Sequence, residues 1–282
     1  MKQFVRLTCL AILLLACTKS IAQNKAYPFE VKVTGKGTRA IIFIPGFACA
    51  GEVWDRTKKE YEKGYTCYTL TMAGFAGVPA QGRPTFKDRE AGIADFIKDK
   101  KIGKAIIVGH SMGGGWAMAL AADYPELVSK IVVVDALPCL AAMRNPDFKT
   151  KEPNDCSTMV NMISGMKDED FYKMQKMGLA QLVADTSRIE MLAGWSLKSD
   201  RNTFALLYCD FLNTDLREKV AGVQCPALVL LEPSFEKVRS TMDEQFGKMK
   251  GADIRYAGKG LHFIMYDDTD WFEKQLNSFI QQ

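Results

Sequence analysis

The sequence predicts an α/β fold: a mostly parallel, doubly wound sheet interrupted by one helical insertion. Three observations predict it. Apolar, β-branched runs alternate with helical patterns over residues 28–138, the order that builds parallel strands covered by helices. Around Leu137-Pro138 the alternation stops, and up to about Gly222 the chain is helical, polar and methionine-rich, with no strand signal. At Cys225-Pro226 the strand–helix alternation resumes and runs to the C-terminus. The expected division is a signal peptide over 1–22, a core over 23–138 and 222–282, and a helical cap over 139–221. With 282 residues of which 48% are hydrophobic, the chain can bury one large core.

The N-terminus reads as export machinery. Lys2 and Arg6 form a basic segment, Leu7 to Cys17 an apolar one too short to span a bilayer, and Ser20-Ile21-Ala22 a small-x-small cleavage site before Gln23. Leu14-Leu15-Ala16-Cys17 also reads as a lipobox, which would place a lipid on Cys17. The expected location is therefore periplasmic or extracellular, soluble unless lipidated at Cys17. Ile41-Ile42-Phe43-Ile44 reads as a buried strand, leading into Pro45-Gly46-Phe47. Ala105-Ile106-Ile107-Val108 is a second, followed by Gly109-His110-Ser111-Met112-Gly113 and a small-residue helix through Ala122. Ile131 to Asp135 is a third, and Ala227 to Leu231 a fourth. A short strand at Asp253–Ala257, a Gly-flanked loop holding His262 and a helix from about Thr269 to Ile280 close the chain.

Strand, sharp turn and helix with a serine at the tip form a Gly-x-Ser-x-Gly elbow. A tight turn lifts the Ser111 hydroxyl clear of the sheet, and glycines at 109 and 113 leave no Cβ to block it. The helix that follows aims unpaired amides at any oxyanion formed beside the serine. A purely structural turn is the alternative. The chain has two histidines, His110 and His262. His110 adjoins the serine, points away from it in a sharp turn, and is expected to pack against the fold. His262 is then the candidate general base, the alternative being a structural imidazole.

On these motifs the chain resembles the serine-nucleophile members of the α/β-hydrolase superfamily. The resemblance covers roughly residues 28–138 and 222–282 and rests on Ile41–Phe47, Gly74-Phe75-Ala76-Gly77, the elbow with Tyr124–Val128, Ile131–Asp135, Pro226–Leu231 and the His262 loop. It implies an α/β-hydrolase fold whose cap is inserted after a sixth strand. It also implies an oxyanion hole from the backbone N–H groups of Met112 and Phe47, with Pro45-Gly46 standing where the family usually has His-Gly. The usual Gly-x-x-Asp after the penultimate strand is replaced by Glu232-Pro233-Ser234-Phe235-Glu236. The acid therefore has three candidates: Asp135 at the end of its strand, as in some members of the superfamily, Glu232 and Glu236. In the cap, Trp195 and Phe171 are the candidate substrate-binding residues, among methionines that either line an acyl pocket or fill the cap's own core.

Composition narrows the rest. The net charge is +4, and cleavage after Ala22 removes Lys2, Arg6 and Lys19, leaving +1. A near-neutral surface argues against nucleic acid as partner. Six cysteines follow the signal segment, and Cys139 with Cys156, which flank one irregular stretch, form the expected disulfide. Two dispersed histidines and no Cys/His cluster argue against a metal site, and no cofactor is expected. The expected function is acyl transfer from a small ester-like substrate to water through Ser111, His262 and a carboxylate. Lactonase, thioesterase, amidase or aminopeptidase chemistry on the same residues, a cofactor-free non-hydrolytic reaction, and a non-catalytic binding scaffold are the alternatives. Oligomeric state is not readable.

Overall fold

The computed structural model describes residues 25–82 and 84–282. The signal segment 1–22 and Cys17 lie outside the described residues.

Seven strands form one sheet: β1 (Phe29–Thr34), β2 (Arg39–Ile44), β3 (Tyr65–Met72), β4 (Ala105–His110), β5 (Val128–Val134), β6 (Ala227–Leu231) and β7 (Asp253–Tyr256). Their spatial order is β1-β3-β2-β4-β5-β6-β7, with β1 antiparallel to β3 and every other pair parallel. Eleven α-helical segments are described: α1 (Asp55–Lys59), α2 (Phe86–Asp99), α3 (Met112–Asp123), α4 (Ser157–Ser164), α5 (Asp168–Leu179), α6 (Ile189–Leu197), α7 (Arg201–Leu212), α8 (Pro233–Glu236), α9 (Arg239–Phe246), α10 (Ile264–Asp267) and α11 (Thr269–Ile280).

The period-2 geometry of strands explains why the sheet is doubly wound. Ile42, Ile44, Ile107 and Val133 face one side, where Phe86, Ile93 and Phe96 of α2 and Trp116 of α3 cover them. Ile41, Phe43, Val108, Val132 and Leu228 face the other, against Trp54 and against Phe272 and Leu276 of α11. A strand buried on both faces cannot alternate polar with apolar, so β4 and β6 are buried at every position.

The cap segment leaves the sheet after β5. The strand that the resemblance counts as sixth is thus the fifth described here, because the sheet begins with the antiparallel β1. Between β5 and β6 lie α4, α5, α6 and α7, with no strand among them. By Leu216, whose N–H donates to Pro138 O at 2.8 Å, the chain is back on the core. Helix α7 is fastened to the core along its length. Asp200 N–H donates to Gly74 O (2.8 Å), Ala76 N–H to Ser199 Oγ (3.0 Å) and Phe86 N–H to Asp210 Oδ2 (2.7 Å).

One expectation is corrected here. The disulfide joins Cys156 to Cys209, not to Cys139, and so ties the start of α4 to α7. Cys139 is a buried free thiol because its backbone is committed elsewhere: its N–H and C=O both bond the Gln245 side-chain amide, at 3.0 and 2.8 Å. Cys49, Cys67 and Cys225 are also free.

Candidate active site

The carboxyl ends of parallel strands open onto a common edge, and register decides what meets there. His110 of β4 pairs with Val134 of β5, which pairs with Leu230 of β6. Ser111 and Asp135 therefore emerge side by side, one residue past their strands, with Glu232 close behind on the next. Ser111 sits at φ 54°, ψ −123°, a conformation that costs a non-glycine residue energy and concentrates at functional turns. Packing enforces it. The Ser111 N–H donates to Val134 O (2.9 Å), and the Ser111 carbonyl accepts from Gly114 and Gly115. A Cβ at Gly113 would lie 2.4 Å from Ile44 O, and one at Gly109 would lie 2.1 Å from Gly113 O. Both positions need glycine so that α3 can start tight against β2 and β4.

Asp135 is also left-handed, at φ 47°, a region that Asp tolerates better than most side chains. Its carboxylate is nearly inaccessible. Oδ1 accepts Glu232 N–H at 2.7 Å, and Oδ2 lies 2.6 Å from His262 Nδ1, the length of a charge-assisted hydrogen bond. Among the three candidate carboxylates, the one that contacts His262 is Asp135. Glu236 is exposed and paired with Arg239 at 2.9 Å, and Glu232 meets Asp135 through its backbone.

His262 is held by its loop rather than by a helix. Gly260, at φ 94°, turns the chain, and Asp267 Oδ2 accepts Leu261 N–H (2.9 Å), while the same carboxylate accepts the amides of Ala184 and, through Oδ1, Asp185. Phe263 N–H donates to Leu182 O. The histidine loop is thus pinned to the cap on one side. On the other, His110 is buried beneath it, as expected of a packing residue, with ring centroids 4.6 Å apart. His110 Nε2 donates to His262 O at 3.0 Å. Burial, with the His262 charge adding to it, drives the His110 pKa well below its ordinary value, so the ring is neutral.

The amides expected to hold an oxyanion lie in two places. The Met112 amide, the first of α3, has no preceding helical turn to bond. The Phe47 amide lies in the loop after β2, where Ala48 takes φ 55° and Cys49 N–H closes a turn on Gly46 O. The Phe47 ring is clamped by three aromatics, Phe75, Phe204 and Tyr208, at 5.1, 4.4 and 5.0 Å. Two of these are on α7, so the cap steadies this loop.

Ser111, Asp135, His262 and Phe47 all line one cavity of about 580 Å³, a size that suits a small-molecule ligand. Its far wall is cap: Met159 and Ile163 of α4, Met174 of α5, Leu192 of α6, Phe204 and Phe211 of α7. Two sequence-based choices are not on that wall. Phe171 is fully buried one layer back, edge-on to Phe204 at 5.1 Å and under the Arg201 guanidinium. Trp195, itself partly buried, packs instead against the core cluster on the other face of the sheet. Phe171 shares the α5 face of Met174, Gln175 and Gly178, which line the cavity with Leu179, but it lies a turn nearer the helix start, where Phe204 and Arg201 cover it. Tyr208 was not picked out from the sequence, although Phe204, Tyr208 and Phe211 stand at i, i+4 and i+7 on one helical face. No cluster of three metal-ligating side chains occurs among the described residues.

The profile of the alpha/beta hydrolase fold family matches residues 39–188, more than half of the chain. The chain belongs to the alpha/beta hydrolase fold family. It is a hydrolase. Over 251 residues it is 24% identical to a pimeloyl-[acyl-carrier protein] methyl ester esterase of Aliivibrio fischeri, covering 86% of this chain and 93% of that one. Similar solved structures include an enol-lactonase from Burkholderia xenovorans and an esterase from Exiguobacterium antarcticum. Each has a TM-score of 0.73 and 16% identity, and each likeness covers 90% of this chain and 96% of the other. At that identity they speak to the fold of this hydrolase.

Proposed function

We propose that this hydrolase cleaves a small carboxylic ester with an apolar acyl group through an acyl-enzyme on Ser111. The observation that carries the reading is the bond from Asp135 to His262 beneath an apolar cavity that Ser111 also lines. Asp135 fixes the proton on His262 Nδ1 and leaves Nε2 free to act as base. His262 takes the proton from Ser111 Oγ as the oxygen attacks the ester carbonyl, and the amides of Met112 and Phe47 hold the oxyanion. His262 returns that proton to the leaving alkoxide. Water then attacks the acyl-serine with the same base, releasing the carboxylic acid and restoring the hydroxyl. The hydrogen bonds of the site run from Asp135 to His262; the serine–imidazole contact is assigned to the substrate complex, where such contacts tighten.

Residues 139–221 serve as a cap whose α4 and α7 supply the acyl-binding wall. The supporting observation is that the disulfide staples to each other two helices that both line the cavity. The same bridge, with the basic-apolar-small pattern of residues 1–22, supports export of a chain beginning at Gln23.

The test is covalent labelling. A fluorophosphonate should give one adduct, located on Ser111 by peptide mass spectrometry, and Ser111→Ala should lose at least about 10³-fold in kcat on a chromogenic ester. An adduct elsewhere, or undiminished turnover by Ser111→Ala, refutes the assignment. Running ester, lactone, thioester and anilide substrates side by side fixes the bond.

A further inference from the structure

The charges of the cavity are all of one sign. Asp135 and Glu232 line it, while no lysine or arginine is among its lining residues within the described part of the chain. The two carboxylates differ in what neutralises them. Asp135 has both oxygens engaged, one by the Glu232 amide and one by the His262 ring. Glu232 has only the Ser234 hydroxyl. Its place is fixed by the backbone. The Glu232 N–H is tied to Asp135 at 2.7 Å, and Pro233, with its restricted φ, starts α8 directly after it. Burial raises the Glu232 pKa above its ordinary value; the Asp135 charge pushes the same way, and His262 pulls it back. Glu232 lines the same cavity as Ser111 and His262, so its charge acts on what is bound there.

We propose that Glu232 is a specificity-determining residue that excludes anionic groups from the acyl cavity, restricting this hydrolase to esters whose acyl chain carries no negative charge. The inference rests on the ester-hydrolase reading of the same site. A carboxylate buried in this cavity would face Asp135 and Glu232 with no cation to offset them, and charges are weakly screened in a partly desolvated site. The transition state escapes this cost. Its oxyanion is directed at backbone amides, and the imidazolium that forms on His262 is offset by Asp135. The product does not escape it. Hydrolysis turns a neutral ester and water into an alcohol, a proton and a carboxylate, and that carboxylate appears beside Asp135 and Glu232. The same residue therefore favours departure of the acid.

A matched pair of substrates tests this: 4-nitrophenyl hexanoate, and the mono-4-nitrophenyl ester of adipic acid, which ends in a carboxylate. The full-length enzyme should prefer the neutral ester in kcat/KM, and Glu232→Gln should narrow the preference by roughly tenfold. Glu232→Lys should narrow it further. A readout that needs no variant accompanies these: in the unaltered enzyme, hexanoate should inhibit about tenfold more weakly than the neutral hexanamide. Equal inhibition by the two, or a preference unchanged in folded Glu232→Gln and Glu232→Lys, overturns the proposal. Collapse of turnover on the neutral ester in folded Glu232→Gln also overturns it, because Glu232 would then be the acid of the triad. If the unaltered enzyme cleaves neither ester, the ester-hydrolase reading falls first and this inference with it.

Discussion

Replacing Asp135 by asparagine separates a catalytic carboxylate from a structural one, and the structure fixes the expected size. The asparagine carbonyl can keep the bond that Oδ1 makes to Glu232 N–H, which turns the amide nitrogen toward His262. An amide N–H cannot accept from Nδ1–H, so the ring must present a bare Nδ1 and carry its proton on Nε2. The base is then blocked at the nitrogen that should take the serine proton. The negative charge that offsets the imidazolium is lost as well, in a side chain only 2% exposed, where water offers little replacement. Wrong tautomer and lost charge together should lower kcat by about 10⁴, or about 5.5 kcal/mol at 1.36 kcal/mol per decade. Stability should change little, because asparagine tolerates the left-handed φ of 47° and retains the Glu232 anchor. The assay is kcat on a chromogenic ester beside thermal unfolding followed by circular dichroism. A kcat within tenfold of the unaltered enzyme refutes the assignment, as does a loss of kcat matched by a large fall in Tm.

Two further predictions concern the rest of the chain. Closing a loop of 53 residues is worth about 4 kcal/mol in the chain-entropy account, so Cys209→Ser should lower Tm by roughly 10 °C. Peptide mapping without reductant should recover Cys156 joined to Cys209, and a Cys139–Cys156 peptide would refute the pairing. N-terminal sequencing of the native protein should begin at Gln23; a lipid-modified Cys17 would overturn soluble export while leaving the chemistry untouched.

The sheet was readable because parallel strands buried on both faces must be written in continuous apolar residues, and Ile106–Val108 and Leu228–Leu231 are. The elbow was readable because close approach of α3 to β2 admits only glycine at 113. Pairing across the cap was not. Cys139 and Cys156 are near neighbours in sequence, but the irregular stretch between them carries Cys156 away from the core, and the turn of α7 brings Cys209 to it. Likewise, apolar content marks Phe171 and Trp195 as buried without saying whether each faces a ligand or a neighbouring helix. Position along the helix and docking decide that, and they set Phe171 behind Phe204.

The acid was the hardest member of the site to read for the same physical reason. Asp135 and His262 are 127 residues apart, and nothing local in either segment announces the other. What joins them is register: His110, Val134 and Leu230 stand abreast on β4, β5 and β6, so the residues just past them reach the same edge. A one-residue slip of β5 would turn Asp135 away from that edge and bring a neighbour into its place. Glu232 takes part in the site through its amide, and an amide leaves no trace in a sequence. That amide holds Asp135 while the side chain adds a second charge, so one position on β6 can orient the base and bias the cavity against anions. Substitutions that keep the backbone but change the charge separate the two effects, which is why Glu232→Gln should alter substrate preference while sparing the Asp135–His262 bond.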